Sequence, residues 1–398
     1  MGFMYTVNVA KFKGAIFLKY KRKDLFMKRK TLLTLMALVM SVALCACGDK
    51  EEEVVEVATV EEIPIEVEPT TVEEETTTEE VVLEDELPEG MYFSELTNLP
   101  IDESLKNQRP IAAMVDNDKR ALPHFGLNEA DIVYEMMNST ANGRITRMMA
   151  IVKDWGSIEQ LGSIRSVRPT NILLAAEWNA VLCHDGGPFY IDPYFAEPYA
   201  DHFSGIFSRV DNGKAREFTE YIMPGDLEKA FSNSGVDTEY NEYYVGPHYN
   251  FAPKANPVDL GEKADSIDAS KVKLPFQNNG SYLTYNEEEG VYDYFEYGSA
   301  HLDGATNEQL KFENLLIQSC TFHQYDENGY MIFNCIVGNP TPGYYVTNGK
   351  AIPVTWTKPS ATEPTRYFDA EGNEITINTG KTYVAFVPDD NWDELVIE

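Results

Sequence analysis

The hydrophobic pattern of this chain settles into short, punctuated runs from residue 109 onward. Arg109-Pro110 is followed by an apolar run at residues 111–115, closed by Asp116-Asn117-Asp118. Similar runs stand at 132–136 and 145–152. Apolar runs this short, bounded by turn formers, predict buried strands rather than helices. Asn142-Gly143 lies between the second and third runs and predicts a hairpin. Pro169 suits the first turn of a helix over residues 170–178, and residues 179–183 predict the next strand, ending in His184-Asp185-Gly186-Gly187. Residues 188–210 are dense in aromatics and prolines and predict an irregular aromatic wall, and Pro224-Gly225-Asp226 opens a short helix.

From residue 271 the pattern changes to strands and tight turns. Hairpins are predicted around residues 287–290, over Asp326-Glu327-Asn328-Gly329, at Asn348-Gly349 and at Glu371-Gly372. A four-residue turn at the second of these sets Tyr325 opposite Tyr330 and Cys320 opposite Cys335, a register that would allow a disulfide in an exported chain. A two-residue turn at Asn328-Gly329 would instead place Cys335 against Phe322 and remove the bridge.

The start of the chain reads differently. Met27-Lys28-Arg29-Lys30 precedes an uncharged stretch, residues 31–46, which predicts an export signal. It ends in Leu44-Cys45-Ala46-Cys47-Gly48, similar to a lipobox, with Cys47 as the candidate lipidated residue. The stretch is short for a membrane-spanning helix. Residues 1–26 read as an upstream extension, 27–47 as a lipoprotein signal peptide and 48–90 as an acidic tether. Residues 49–90 hold eighteen acids against Lys50 alone and almost no aromatics, a composition that repels itself and does not pack. The expected folded organisation is an N-terminal α/β region at 91–250, a linker at 251–270 and a β-rich region at 271–398.

Formal charge is -33, which argues against binding a nucleic-acid backbone. Within that acidic chain, Arg144, Arg147, Arg165 and Arg168 fall close together. Glu135 stands inside an apolar strand, where a carboxylate needs a partner; a pair with Arg147 across the hairpin is the preferred account. Together Glu135, Arg144, Arg147, Arg165, Ser166, Arg168, His184 and Asp185 are candidates for an anion-binding site, because guanidinium forks match carboxylate and phosphate oxygens. His301 and Asp303 form a second polar focus. Two other readings stand beside this one. In the first, His184 is the general base of an envelope hydrolase near Ser166. In the second, the arginines only satisfy Glu135, Asp131 and Asp185 as a buried network within a scaffold protein. No phosphate loop, zinc motif, CxxC pair or nucleophile elbow is present, so neither cofactor nor metal is expected.

Several segments resemble one family, the YerB-type bacterial lipoproteins, defined by a domain without an assigned function. They are RPIAAMVDN (109–117), ADIVYEMM (130–137), GRITRMMAIV (143–152), GSIRSVRP (162–169), HDGG (184–187), GSAHLDGATNEQL (298–310) and PVTWTK (353–358). The resemblance implies an α+β fold, a layered β-β-α sandwich-like body with an N-terminal α/β region and a β-rich C-terminal region. It implies an extracytoplasmic protein and no established activity; the lipobox-like segment and the arginine cluster add the expectation of a lipid-anchored protein on the outer face of the cell membrane, with the bilayer and an anionic envelope ligand or envelope protein as partners. The chain departs from the family at residues 216–221, where a Pro-His-Asn-Leu-Tyr segment is replaced by Arg-Glu-Phe-Thr-Glu-Tyr. A catalytic role for that histidine would not carry over.

Overall fold

The computed structural model describes residues 10–12, 15–17 and 85–398. The signal segment, Cys47 and nearly all of the acidic tether lie outside the described residues. Residues 1–77 and 78–398 form separate units; in the first, Ala10–Phe12 pairs antiparallel with Ala15–Phe17.

Three strands near the start of the second unit are buried on both faces: β1 (Ile111–Asp116), β2 (Ile132–Met137) and β3 (Thr146–Val152). This double burial is why their sequences read as continuous apolar runs rather than as alternation. Helix α1 (Pro169–Glu177) follows, with Pro169 in its first turn and the Arg168 backbone N–H donating to the Asn171 side chain at 3.0 Å. Next come β4 (Val181–His184) and β5 (His202–Ser204). The C-terminal half supplies β6 (Tyr282–Asn286), β7 (Val291–Glu296), β8 (Asn314–Cys320), β9 (Val337–Thr347), β10 (Lys350–Lys358) and β11 (Thr382–Pro388).

One sheet runs through both halves, in the order β5-β4-β1-β3-β2-β11-β8-β9-β10, and two short strands, Ile267–Asp268 and Arg366–Phe368, pair with β10. The join is β11, which pairs in parallel with β2 on one side and β8 on the other. A second sheet contains β6, β7, Lys271–Lys273 and Val396–Ile397.

Side chains alternate between the two faces of the large sheet. Ala113, Val115, Val133, Met148 and Ala385 pack against Leu283, Tyr292 and Tyr294 of the second sheet. Ala112, Met114, Ile132, Met149 and Phe386 pack on the other face against Ile172, Leu174 and Trp178. The body is therefore an α+β sandwich of helix, sheet and sheet, with a β-rich C-terminal half. Lys358, fully buried on β10, donates to Glu177 at the end of α1 at 3.0 Å and ties the helix layer to the C-terminal strands.

Two expectations need correction. Glu135 does not pair with Arg147. The hairpin register sets Glu135 opposite Met148 and Met136 opposite Arg147, so the acid and the arginine leave opposite faces of the sheet. Cys320 and Cys335 follow the four-residue-turn register, since Phe322 pairs with Phe333 and Gln324 with Met331, yet both are free, buried thiols. Burial pushes the Cys335 thiol up to about 12, so as a free thiol it stays protonated.

Candidate functional site

The C-terminal ends of β1 and β2, the N-terminal end of β3 and the segment entering α1 surround a cavity of about 500 Å³ on the helix side of the sheet. Arg120, Arg147, Arg165 and Arg168 line it, against Asp116 and Asp118. The C-terminal half closes one wall with Asn328 and Tyr330.

Each arginine is held differently. Arg120 forks onto Asp118 at the rim, at 2.9 and 2.7 Å. Arg165 bridges Asp116 (2.7 Å) and Glu217 (2.6 Å). Arg147, directly opposite Asp116 in the β1–β3 register, lies 3.6 Å from it and donates to the Ser166 carbonyl at 2.6 Å and to Asn138 at 3.1 Å. Arg168 has no carboxylate partner among the described residues. It donates to the Val167 carbonyl at 2.9 Å and to the Ser166 hydroxyl at 3.3 Å, and lies over the Tyr330 ring at 4.5 Å. The Nε atoms of both Arg147 and Arg168 are buried without a hydrogen-bond partner. Desolvation, with Arg147 adding repulsion, pulls the Arg168 guanidinium down to about 9, and desolvation also lowers Arg147. An incoming anion would offset both effects.

Of the sequence candidates, the fold gathers Arg147, Arg165, Ser166 and Arg168 in this cavity. It places the others elsewhere. Arg144 turns away to Asp390 at 2.7 Å. Asp185 accepts from Arg209 at 2.7 Å, and Asp131 accepts from the Lys153 backbone N–H at 2.7 Å. His184 is buried, with Nδ1 2.9 Å from the Gly186 carbonyl and Nε2 3.0 Å from His202. Desolvation lowers its pKa to about 4. The Ser166 hydroxyl is engaged by Arg147 and Arg168 rather than by any histidine. The general-base arrangement therefore has no geometric basis. Arg120, Asp116, Asn138, Asn328 and Tyr330 were not among the candidates; Arg120 and Asp116 carried the usable signal, an arginine and an acid at the end of a predicted strand.

Glu135, on the opposite face, is held by neutral donors. Its Oε1 accepts from Thr146 (2.8 Å), Asn279 (2.7 Å) and Asn117 (3.2 Å), and its Oε2 from Tyr294 (2.9 Å) and Tyr383 (2.5 Å). Burial raises its pKa despite these bonds. Asn279 also donates to Glu296 at 3.3 Å, whose other oxygen lies 2.8 Å from His301 Nδ1. Asp303 holds its own loop, accepting from the backbone N–H groups of Gly126 and Ala305 at 2.7 and 2.8 Å.

Comparison with known proteins identifies the scaffold. Residues 96–237 match the N-terminal domain of DUF3048, described as a protein of unknown function, and residues 272–384 match its C-terminal domain. A Bacillus subtilis (strain 168) protein named "Putative lipoprotein YerB" is 25% identical over 316 residues, covering 76% of this chain and 85% of its own. The crystal structure of YerB protein from Bacillus subtilis superposes with a TM-score of 0.65 at 22% identity, covering 77% of this chain and 99% of that one. With matched segments spanning more than half of its length and the same fold, the chain belongs to the DUF3048 family.

Proposed function

We propose that this protein is a lipid-anchored, extracytoplasmic binding protein of the bacterial cell envelope that takes an anionic ligand in its arginine-lined cavity. The observation that carries this reading is Arg168, a largely buried guanidinium without a carboxylate, beside a second buried guanidinium and open to a cavity of about 500 Å³. Burying unpaired like charges is costly, and a phosphate or carboxylate ligand would supply the missing countercharge. The anchoring follows from the lipobox-like Cys47 and the long acidic segment after it, and it agrees with the printed name of the Bacillus subtilis relative. The ligand class is an envelope anion bearing phosphate or carboxylate, such as a teichoic-type phosphate or a peptidoglycan peptide.

Calorimetric titration of the full chain with inorganic phosphate, glycerol phosphate and a soluble muropeptide tests the site. Saturable binding that is lost in Arg168→Gln and kept in Arg144→Gln supports it. Equal binding by both variants, or none by the unsubstituted chain, leaves the arginines as structural groups. Anchoring has its own readout: Cys47→Ala should abolish labelling by radioactive palmitate and release the protein from the membrane fraction.

A further inference from the structure

Between the two sheets, away from the arginine cavity, three buried side chains converge. His124 comes from the loop after β1, Glu296 ends β7, and His301 follows the short strand Ser299–Ala300. The two imidazole rings lie 5.0 Å apart between centroids. One donor atom from each of the three residues falls within 4.8 Å of the other two.

Their hydrogen bonding is incomplete in a particular way. His124 Nε2 is 2.5 Å from the Asp116 carbonyl, which can only accept, so Nε2 carries the proton. Nδ1 is then a bare lone pair, and it is buried with no donor facing it. His301 differs: its Nδ1 faces the Glu296 carboxylate at 2.8 Å, on the side that a cation shared with Glu296 would occupy, and its Nε2 is buried without a partner. Buried nitrogens left open like this are uncommon in folded chains. A ring nitrogen held by a carbonyl with the other one free, as in His124, is how metal-ligating histidines are oriented, and at His301 a cation would take the place of the proton shared between Nδ1 and Glu296.

The charge balance leads to the same place. Among the described residues, neither Glu296 nor Glu135 has a lysine or arginine within ion-pair distance. The two carboxylates are linked through the Asn279 amide, at 3.3 and 2.7 Å. Glu135 has five neutral donors around it, but Glu296, buried beside two neutral imidazoles, lacks the countercharge that a cation would supply. A cavity of about 410 Å³ reaches Glu296 and His301 and gives the cluster an open side.

We propose that His124, Glu296 and His301 form a binding site for one divalent transition-metal cation of the zinc class, with a fourth coordination position facing that cavity. Two histidines, one glutamate and an open position are a donor set that zinc accepts. Metal–ligand bonds of about 2.1 Å set tetrahedral donors about 3.4 Å from one another, between the 2.8 Å from His301 Nδ1 to Glu296 and the 4.8 Å within which the three donors lie, so the side chains shift by roughly an ångström on binding. Asn279 is the positioning residue, since its amide fixes the Glu296 carboxylate. The site is independent of the arginine cavity and stands whether or not that cavity binds an anion.

The experiment uses the full chain, stripped with chelator and dialysed against Zn²⁺ in a large excess of Ca²⁺, which occupies the acidic residues of the tether. The expected result is one Zn²⁺ retained per chain, a raised melting temperature, and intense visible absorption when Co²⁺ replaces Zn²⁺, as nitrogen and oxygen donors in four-coordination give. His301→Gln should keep the metal-free melting temperature within a few degrees and weaken Zn²⁺ binding by more than the ~10–100-fold typical of outer-shell changes, whereas Asn279→Ala should fall within that range. His323→Ala, at an exposed histidine, should change nothing. If His124→Asn fails to fold, the cobalt spectrum of the unsubstituted chain and His301→Gln still decide. No retained equivalent, an equivalent that Ca²⁺ displaces, or one that survives His301→Gln overturns the proposal.

Discussion

The two faces of the large sheet carry opposite electrostatic problems. On the helix side, Arg147 and Arg168 are buried with one distant carboxylate between them and an open cavity in front. On the other side, Glu135 is buried without any cation but with five neutral donors. The dipeptide Asp116-Asn117 touches both: Asp116 accepts from Arg165, and Asn117 donates to Glu135. The contrast separates two ways of keeping a charge inside a protein. The Glu135 side satisfies its charge with fixed dipoles, which suits a structural role. The arginine side leaves nitrogens unsatisfied, as befits a group whose partner arrives from outside.

The largest effect should come from removing the solvated charge. Glu135→Leu strands two tyrosine hydroxyls, a threonine and two amides, and should cost about 3–5 kcal/mol in urea denaturation, whereas Glu135→Gln should keep most of the stability. A small loss in Glu135→Leu would show that those donors find other partners and would erase the contrast.

Acid should act next. His124, His184, His248 and His301 each stay neutral in the folded chain down to about pH 4 because burial penalises the charged ring. An unfolded ring takes its proton near 6.5. Between those values the unfolded state binds more protons, so stability falls as the pH falls through that window. Burial raises Glu135 and Glu296 and pushes Asp131 up to about 6 and Glu220 up to about 7, and their protonation works in the opposite sense and returns part of the loss. The share of one ring is read from denaturation midpoints at pH 6.5 and 4, where His184→Gln should lose about 2–3 kcal/mol less than the unsubstituted chain. An equal loss in both would mean that the His184 imidazole is already charged in the folded chain.

Removing the unpaired guanidinium should do much less. Arg168→Met takes away a desolvated charge without orphaning a carboxylate, so stability should stay within about 1 kcal/mol while phosphate binding disappears. A loss near that of Glu135→Leu would make Arg168 a structural residue. The smallest effect belongs to the surface: Arg144→Gln breaks a partly exposed pair with Asp390 and should change stability by less than about 0.5 kcal/mol.

Much of this arrangement is readable from the chain. The apolar runs at 111–115, 132–136 and 145–152 become β1, β2 and β3, and Pro169 opens α1 where its geometry favours it. Arg147, Arg165 and Arg168 meet because they border adjoining strand and helix ends. What the chain concealed depends on register and on distance. A one-residue difference in the hairpin moves Arg147 to the other face from Glu135, and no local pattern specifies that parity. The partners of Glu135 come from Asn279, Tyr294 and Tyr383, in elements whose placement follows from the parallel insertion of β11 rather than from any neighbouring sequence.

That insertion has a kinetic consequence. Ile132 pairs with Thr382, so one edge of β2 stays open until residue 382 has been made. Contacts between residues so far apart in sequence form slowly, because a long loop must close before any bond rewards it. Until β11 arrives, the β2 edge is a row of unpaired backbone groups, the kind of surface that recruits other chains. A strand that emerges late thus completes the first half, and truncation before residue 382 should yield an aggregating N-terminal fragment rather than a smaller functional protein.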